Sequence, residues 1–245
     1  MSKLKNLIYY FIYKTMKKAF IIYGPPGAGK GTQANLLAGK LGLIHFDTGR
    51  YLEQIVHDPE KQSDPEIRKE KEIFDSGVLM TPDFVLKIIS QKSAEVSKSG
   101  FGIVFSGSPR TLYEAFGDKK NRGLIAMLES EYGKENIFPI FLKIDPKISI
   151  LRNKNRKVCS VCGTAILYND SDQHKTCPLC GGVLRVRMVD NPAVLETRIK
   201  EYEERTKPII DELKKHGYQI IEIDGHPLPY KVFDEILKEL KLNNS

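Results

Sequence analysis

The run AFIIYGPPGAGKGTQANLLAGKLG, residues 19–42, constrains this chain more than any other feature. It divides into three parts. Ala19 to Tyr23 is a short apolar run that reads as a buried parallel strand. Gly24 to Gly31 is a glycine-rich turn. From Thr32 to Leu41, the apolar residues Ala34, Leu37, Ala38 and Leu41 recur at helical spacing. The pattern Gly24-x-x-x-x-Gly29-Lys30-Gly31-Thr32 is close to the P-loop G-x-x-x-x-G-K-[ST], with Gly31 placed before Thr32. Glycines let backbone N–H groups turn inward around a phosphate, and the helix N-terminus adds its positive end. Lys30 is then positioned to neutralise outer phosphates, and Thr32 to help hold a metal–phosphate unit. An ordinary strand-to-helix turn needs none of these residues in this order. The expected fold is α/β, a P-loop-type parallel sheet flanked by helices.

The four cysteines come as two pairs, Cys159-x-x-Cys162 and Cys177-x-x-Cys180. That spacing reads as a structural Zn²⁺ site in a reducing compartment, not as a secreted disulfide framework. Gly163 and Gly181 each follow a second cysteine, as tight knuckle turns require. His174 lies between the pairs and is expected to face solvent, because four thiolates already complete a tetrahedron. Taken alone, the ribbon with Arg152, Arg156, Lys157, Arg185 and Arg187 around it would also suit a nucleic-acid backbone. The P-loop argues against that reading.

Charge also fails to call for a nucleic-acid partner. The 245-residue chain carries +7, but residues 1–18 hold Lys3, Lys5, Lys14, Lys17 and Lys18 and no acid. Without those five, 33 basic residues face 31 acidic ones, a net of +2. Residues 1–18 read as an N-terminal extension, of which residues 1–15 are either a disordered arm or an over-called start, since Met16 offers a second one. A weak membrane-surface anchor is the remaining alternative. The apolar run Leu7 to Tyr13 is far short of the roughly 20 residues a span needs. No stable membrane insertion is expected, and a cytoplasmic location is.

Six segments in order resemble the adenylate kinase family of nucleoside monophosphate kinases: GPPGAGKGTQ, HFDTGRYLE, SGSPRTLYEA, LRNKNRKVCSVCG, VRMVDNPAVLETRIKEYEERTKPII and IEIDG. The resemblance covers about Lys18 to about Leu240. It implies a core from residues 19–47, 77–155 and 188–245. Two mobile inserts would complete it: an acceptor-binding insert at 48–76 and a zinc-bearing lid at 156–187. A strip of about 30 residues is too small to hold its own core, so a metal would supply the folding energy. Carried over position by position, the resemblance assigns Gly27, Ala28, Gly29, Lys30, Gly31, Thr32, Arg152 and Arg156 to ATP. It assigns Thr48, Arg50, Arg110, Glu114, Arg187 and Arg198 to AMP. Lys30, Arg110, Arg156, Arg187 and Arg198 would carry catalysis, with Mg²⁺ accompanying ATP. A monomer is expected.

Three departures from the family pattern involve four positions. Ser106 stands where an aspartate usually organises the magnesium hydration shell, so another acid such as Asp47 or Asp145 is expected to assist. Glu53 stands where an acceptor-binding arginine is usual, while Arg50 replaces an aspartate. Arg50 would either pair with Glu53 or supply the missing charge from a different angle. Glu114 replaces the glutamine that reads the acceptor base. An ionised carboxylate only accepts hydrogen bonds, which suits guanine's two adjacent donors better than adenine's donor–acceptor edge. The expected reaction is reversible phosphoryl transfer from MgATP to AMP. The alternatives are a GMP or CMP kinase, or a nucleotide-binding regulator without turnover. Pro208 should kink the long helix that Asn191 caps and Gly217 ends.

Overall fold

The computed structural model describes residues 17–154, 156–166, 174–186 and 192–242, so residues 1–16, Arg187 and the expected cap Asn191 lie outside the described residues. Strands β1 (Ala19–Tyr23), β2 (Ile44–Phe46), β3 (Ile103–Phe105), β4 (Ile137–Lys143) and β8 (Ile221–Asp224) form a parallel sheet in the order β2-β3-β1-β4-β8. Strands β5 (Lys157–Cys159), β6 (Ala165–Ile166) and β7 (Leu184–Arg185) form a separate antiparallel sheet.

The all-apolar AFIIY run is explained by helices covering both faces of the sheet. Side chains alternate along a strand, so Ala19, Ile21 and Tyr23 enter one core and Phe20 and Ile22 the other. On the first face lie α4 (Pro82–Lys98), α6 (Leu124–Tyr132) and α9 (Pro208–Lys215), contributing Ile89, Leu128 and Leu213. On the second lie α1 (Lys30–Leu41) and α10 (Pro229–Glu239), contributing Leu37 and Ile236. Beyond β1 the chain crosses to β2 and β3 on one side, and later to β4 and β8 on the other. In such sheets the ligand crevice opens at the carboxyl ends of the strands, at this switch point. The glycine turn stands there.

The remaining helices are α2 (Thr48–Val56), α3 (Pro65–Ser76), α5 (Leu112–Phe116), α7 (Pro146–Lys154) and α8 (Pro192–Glu201). The long C-terminal helix breaks differently from a simple proline kink. It passes from α8 through a π-helical turn, Tyr202–Thr206, into α9. Lys207 N–H donates to the Tyr202 carbonyl at 2.8 Å, an i→i−5 bond just before the ring of Pro208, which has no N–H of its own. Among the described residues, no helix is long and apolar enough to cross a membrane.

Candidate active site

The glycine turn is held open by its neighbours. Gly27 has φ +78°, and a Cβ there would meet Asn153 Nδ2 at 2.4 Å and the Ser149 carbonyl at 2.8 Å. Only glycine allows α7 to press this closely on the loop. Ser149 and Asn153 are both buried, and Ser149 Oγ donates to the Pro26 carbonyl. Helix α1 begins directly after Gly29, so its first N–H groups point out of the loop without a side-chain cap.

Lys30 Nζ donates to the carbonyls of Gly24 (2.8 Å) and Pro25 (2.9 Å). Burial holds its pKa well below the usual lysine range, and the charges of Arg110, Arg198 and Arg156 push it further the same way; Asp47 opposes them. On Lys30, three arginine charges thus act against the one carboxylate of Asp47. An anion of several charges would reverse that balance.

That space is an open cleft of about 500 Å³ lined by Lys30, Tyr23, Ser106, Arg110, Arg198 and Tyr202, among others. A second, more apolar cavity of about 370 Å³ lies beside it, between Leu52, Phe74, Val78, Met80 and Val85. Gly107, Ser108 and Arg110 line both. Arg110 thus stands at the junction. Among the described residues its Nε donates to the Gly107 carbonyl (2.6 Å), its own N–H to Glu114 Oε2 (2.8 Å), and its carbonyl accepts from Thr206 Oγ1 (2.8 Å). The π-turn therefore delivers both Tyr202 to the cleft wall and Thr206 to the arginine loop.

Glu114 lines the second cavity, and its local geometry shows what else it does. Thr111 caps the short α5, accepting from Glu114 N–H at 3.1 Å, while its hydroxyl donates to Glu114 Oε1 at 3.1 Å. The Arg110 N–H bond resembles the back-bond of a capping box, except that it comes from the residue before the cap and not from the cap Thr111 itself. Burial pushes the Glu114 carboxyl pKa up, against the bonds from the Arg110 N–H and the Thr111 hydroxyl and the charges of Arg110 and Arg205.

Thr48 opens α2, buried, and its hydroxyl has no partner among the described residues. Asp47 caps the same helix through Arg50 N–H at 3.2 Å. The Arg50 guanidinium lies against the cysteine knuckle instead of folding back on Glu53. A Cβ on Gly163 would fall 2.2 Å from Arg50 Nη1, and Gly163 has φ +73°. Gly163→Ala should therefore lower stability by about 1–2 kcal/mol. Arg50→Ala in that background should recover only the steric part, as denaturant unfolding would read.

Arg152 donates to the carbonyls of Gly225 and His226, both at 2.8 Å, which ties α7 to the turn after β8. Arg156 follows α7, and Arg198 projects from α8 into the cleft. Of the two acids considered as substitutes for a missing aspartate, Asp47 acts electrostatically on Lys30, whereas Asp145 is exposed and pairs with His226 at 3.2 Å. Sequence reasoning missed His45, whose Nε2 lies 2.8 Å from Ser106 Oγ and whose Nδ1 lies 2.6 Å from Asn35 Oδ1. The one available signal was strand alternation: β2 pairs His45 with Val104, and Ser106 lies two residues further along the same face.

The four cysteine sulfurs all lie within 4.8 Å of one another, and none is in a disulfide. The knuckles match: Gly163 N–H donates to the Cys159 carbonyl (3.1 Å) and Gly181 N–H to the Cys177 carbonyl (2.8 Å). Val161 and Cys162 N–H groups donate to Cys159 Sγ, at 3.3 and 3.4 Å. Four converging thiols with amide donors behind them can hold one metal ion. His174 is not part of the cluster.

The family model described as adenylate kinase matches residues 22–218. A Chlamydia pneumoniae protein named adenylate kinase is 33% identical over 224 residues, covering 91% of this chain and 98% of that protein. Another adenylate kinase, from Kosmotoga olearia, is 32% identical over 223 residues, covering 90% and 98%. A third, from Paracoccus denitrificans, is 33% identical over 214 residues, covering 85% and 88%.

Proposed function

The chain belongs to the adenylate kinase family, and from that premise we propose that it transfers the γ-phosphoryl group of MgATP reversibly to AMP, giving two ADP. One observation carries this reading: Lys30, Arg110 and Arg198 converge on one cleft, and Arg110 also borders an adjoining apolar cavity. The cleft takes phosphates and the cavity takes the acceptor base. Phosphoryl transfer asks for two nucleotides held in line and for positive charge on the shifting oxygens.

Residues 27–32 wrap the donor phosphates with backbone N–H groups, Lys30 moves from its carbonyls to the outer phosphates, and Thr32 supports them. Arg152 and Arg156 meet the donor from the lid side. Arg110 clamps the acceptor phosphate, and Arg156, Arg187 and Arg198 meet the transferring group. Arginine suits each position because its planar fork binds phosphate bidentately. Thr48 and Glu114 serve the acceptor nucleoside, and Arg50, beside Gly163, links the acceptor helix to the lid. Residues 48–76 and 156–187 are the moving inserts. Asp47 and Ser106 offer the hard oxygens that Mg²⁺ with ATP uses through its waters, and the cation when bound would neutralise phosphate charge. Cys159, Cys162, Cys177 and Cys180 fit Zn²⁺. A cytoplasmic monomer is the simplest setting for this chemistry.

A coupled assay for ADP formation with AMP, GMP and CMP tests the proposal. Preference for GMP or CMP would change the substrate, and nucleotide binding without turnover would favour a regulator. Glu114 separates these further. Its oxygens already serve the Arg110 N–H and the Thr111 hydroxyl, so the turn accounts for a carboxylate without guanine. In Glu114→Gln, the amide oxygen can keep the Arg110 bond and the NH₂ group becomes a donor. AMP use should improve by up to roughly tenfold, and GMP use should fall. Equal kcat/KM before and after, for every acceptor, would remove Glu114 from base recognition.

A further inference from the structure

We propose that His45 is a positioning residue: pinned between Asn35 and Ser106, it orients the Ser106 hydroxyl as a hydrogen-bond acceptor for the waters of the divalent cation that accompanies the donor phosphates. The inference rests on the phosphotransferase reading above. Three elements bring the residues together: Asn35 on α1, His45 on β2 and Ser106 just past β3. The bonds form a chain, 2.6 Å from Asn35 Oδ1 to His45 Nδ1 and 2.8 Å from His45 Nε2 to Ser106 Oγ.

A neutral imidazole has one N–H and one lone pair. The Asn35 amide oxygen takes the Nδ1 proton, so Nε2 carries the lone pair. The only proton of Ser106 then goes to Nε2. Both hydroxyl lone pairs are left to the cleft that Ser106 shares with Lys30. Burial lowers the His45 pKa, against the pull of Asp47, which favours this neutral form.

A hydroxyl so arranged has no proton to offer a phosphate and needs a donor. Phosphate oxygens supply none, and Lys30 is directed to the phosphates. The waters around a cation do supply donors, and they sit where an uncharged acceptor can order them. His45 thus gives a serine part of the orienting role that a carboxylate has by charge.

The test is a cycle read by manganese binding to the enzyme–ATP complex, followed by electron paramagnetic resonance. His45→Phe and Ser106→Ala should each weaken manganese binding roughly three- to tenfold, and the double variant no more than either alone. In a Ser106→Asp background, His45→Phe should change nothing, because the carboxylate needs no partner. ¹⁵N shifts of the wild-type imidazole should report Nδ1–H and an unprotonated Nε2. His45→Gln, whose amide oxygen can accept from Ser106, should retain part of the affinity and secures the test if His45→Phe folds poorly. An equal loss in the Ser106→Asp background would make His45 merely structural and overturn the proposal. So would the opposite tautomer, or a loss confined to metal-free ATP binding, since both would make Ser106 a donor to phosphate. Wild-type ADP formation from ATP and AMP is measured alongside, so a failed cycle in an active enzyme sinks this inference alone.

Discussion

Lys30→Met is expected to abolish phosphoryl transfer, by about 10²–10³-fold or more, in a protein that is no less stable than wild type. The two halves of that result have one cause. In the free protein, Lys30 shares a confined space with Arg110, Arg198 and Arg156, and its pKa is held well below the normal lysine range by burial and by those charges. Its ammonium is parked on the carbonyls of Gly24 and Pro25. Deleting the charge relieves repulsion and burial cost, and the thioether fills a similar volume. In the proposed reaction, the same charge is what the outer phosphates need when electrons shift toward them. Thermal unfolding should therefore show an unchanged or raised midpoint, while single-turnover ADP formation collapses. A folded variant with a near-normal rate would remove Lys30 from the reaction. A large loss of stability would mean that its bonds to the loop carbonyls, and not its charge, are what the fold uses.

Much of this site could be read from the chain because its parts are local. The strand, the glycine turn and Lys30 are contiguous, and backbone conformation alone sets their relation, so Ala19–Tyr23 and the helix after it are found where the pattern puts them. The cysteine knuckles are legible for the same reason. What could not be read depends on register across the sheet or on packing between distant segments. Ser106 was visible as a departure, but its partner His45 stands 61 residues away and comes into range only through the parallel pairing of β2 with β3. Helical spacing offers Arg50 a partner in Glu53, three residues on, and the family pattern offers it a phosphate. It meets Gly163 on the knuckle, a contact no helical periodicity contains. The break before Pro208 was legible, whereas the extra residue accommodated by the π-turn was not, because it answers to Thr206 reaching the Arg110 carbonyl. Glu114 shows the reverse case. Its T-x-x-E spacing with Thr111 is a local helix-start signature, whereas the family pattern assigns it to the acceptor base.

Stripping the metal from the cysteine cluster should unfold the lid and spare the core. Wild-type protein purified without added metal should contain about one zinc per chain, and a strong chelator or Cys177→Ser should expose residues 156–187 to protease. The described part of this segment has almost no core of its own. Val161, Leu179 and Val183 are 69%, 74% and 68% exposed, whereas Cys159 and Cys177 are each only 2% exposed. Its strands are two or three residues long. Structural zinc in small domains contributes roughly 10–16 kcal/mol of apparent binding energy, which is folding energy when no preformed site exists. Nothing else in the described strip approaches that. Because the sheet of the core packs independently on both faces, ATP should still bind the metal-free protein, more weakly. Turnover should fall by roughly 10²-fold or more, since Arg156 directly precedes β5 and loses its placement when that strand melts. Substituting buried Cys159 or Cys177 should cost at least as much as substituting exposed Cys162 or Cys180. Protein that holds neither zinc nor iron, with four freely titrating thiols and a protease-resistant lid, would show that the cluster is not a metal site and that the strip is stabilised by contacts such as Arg50 on Gly163.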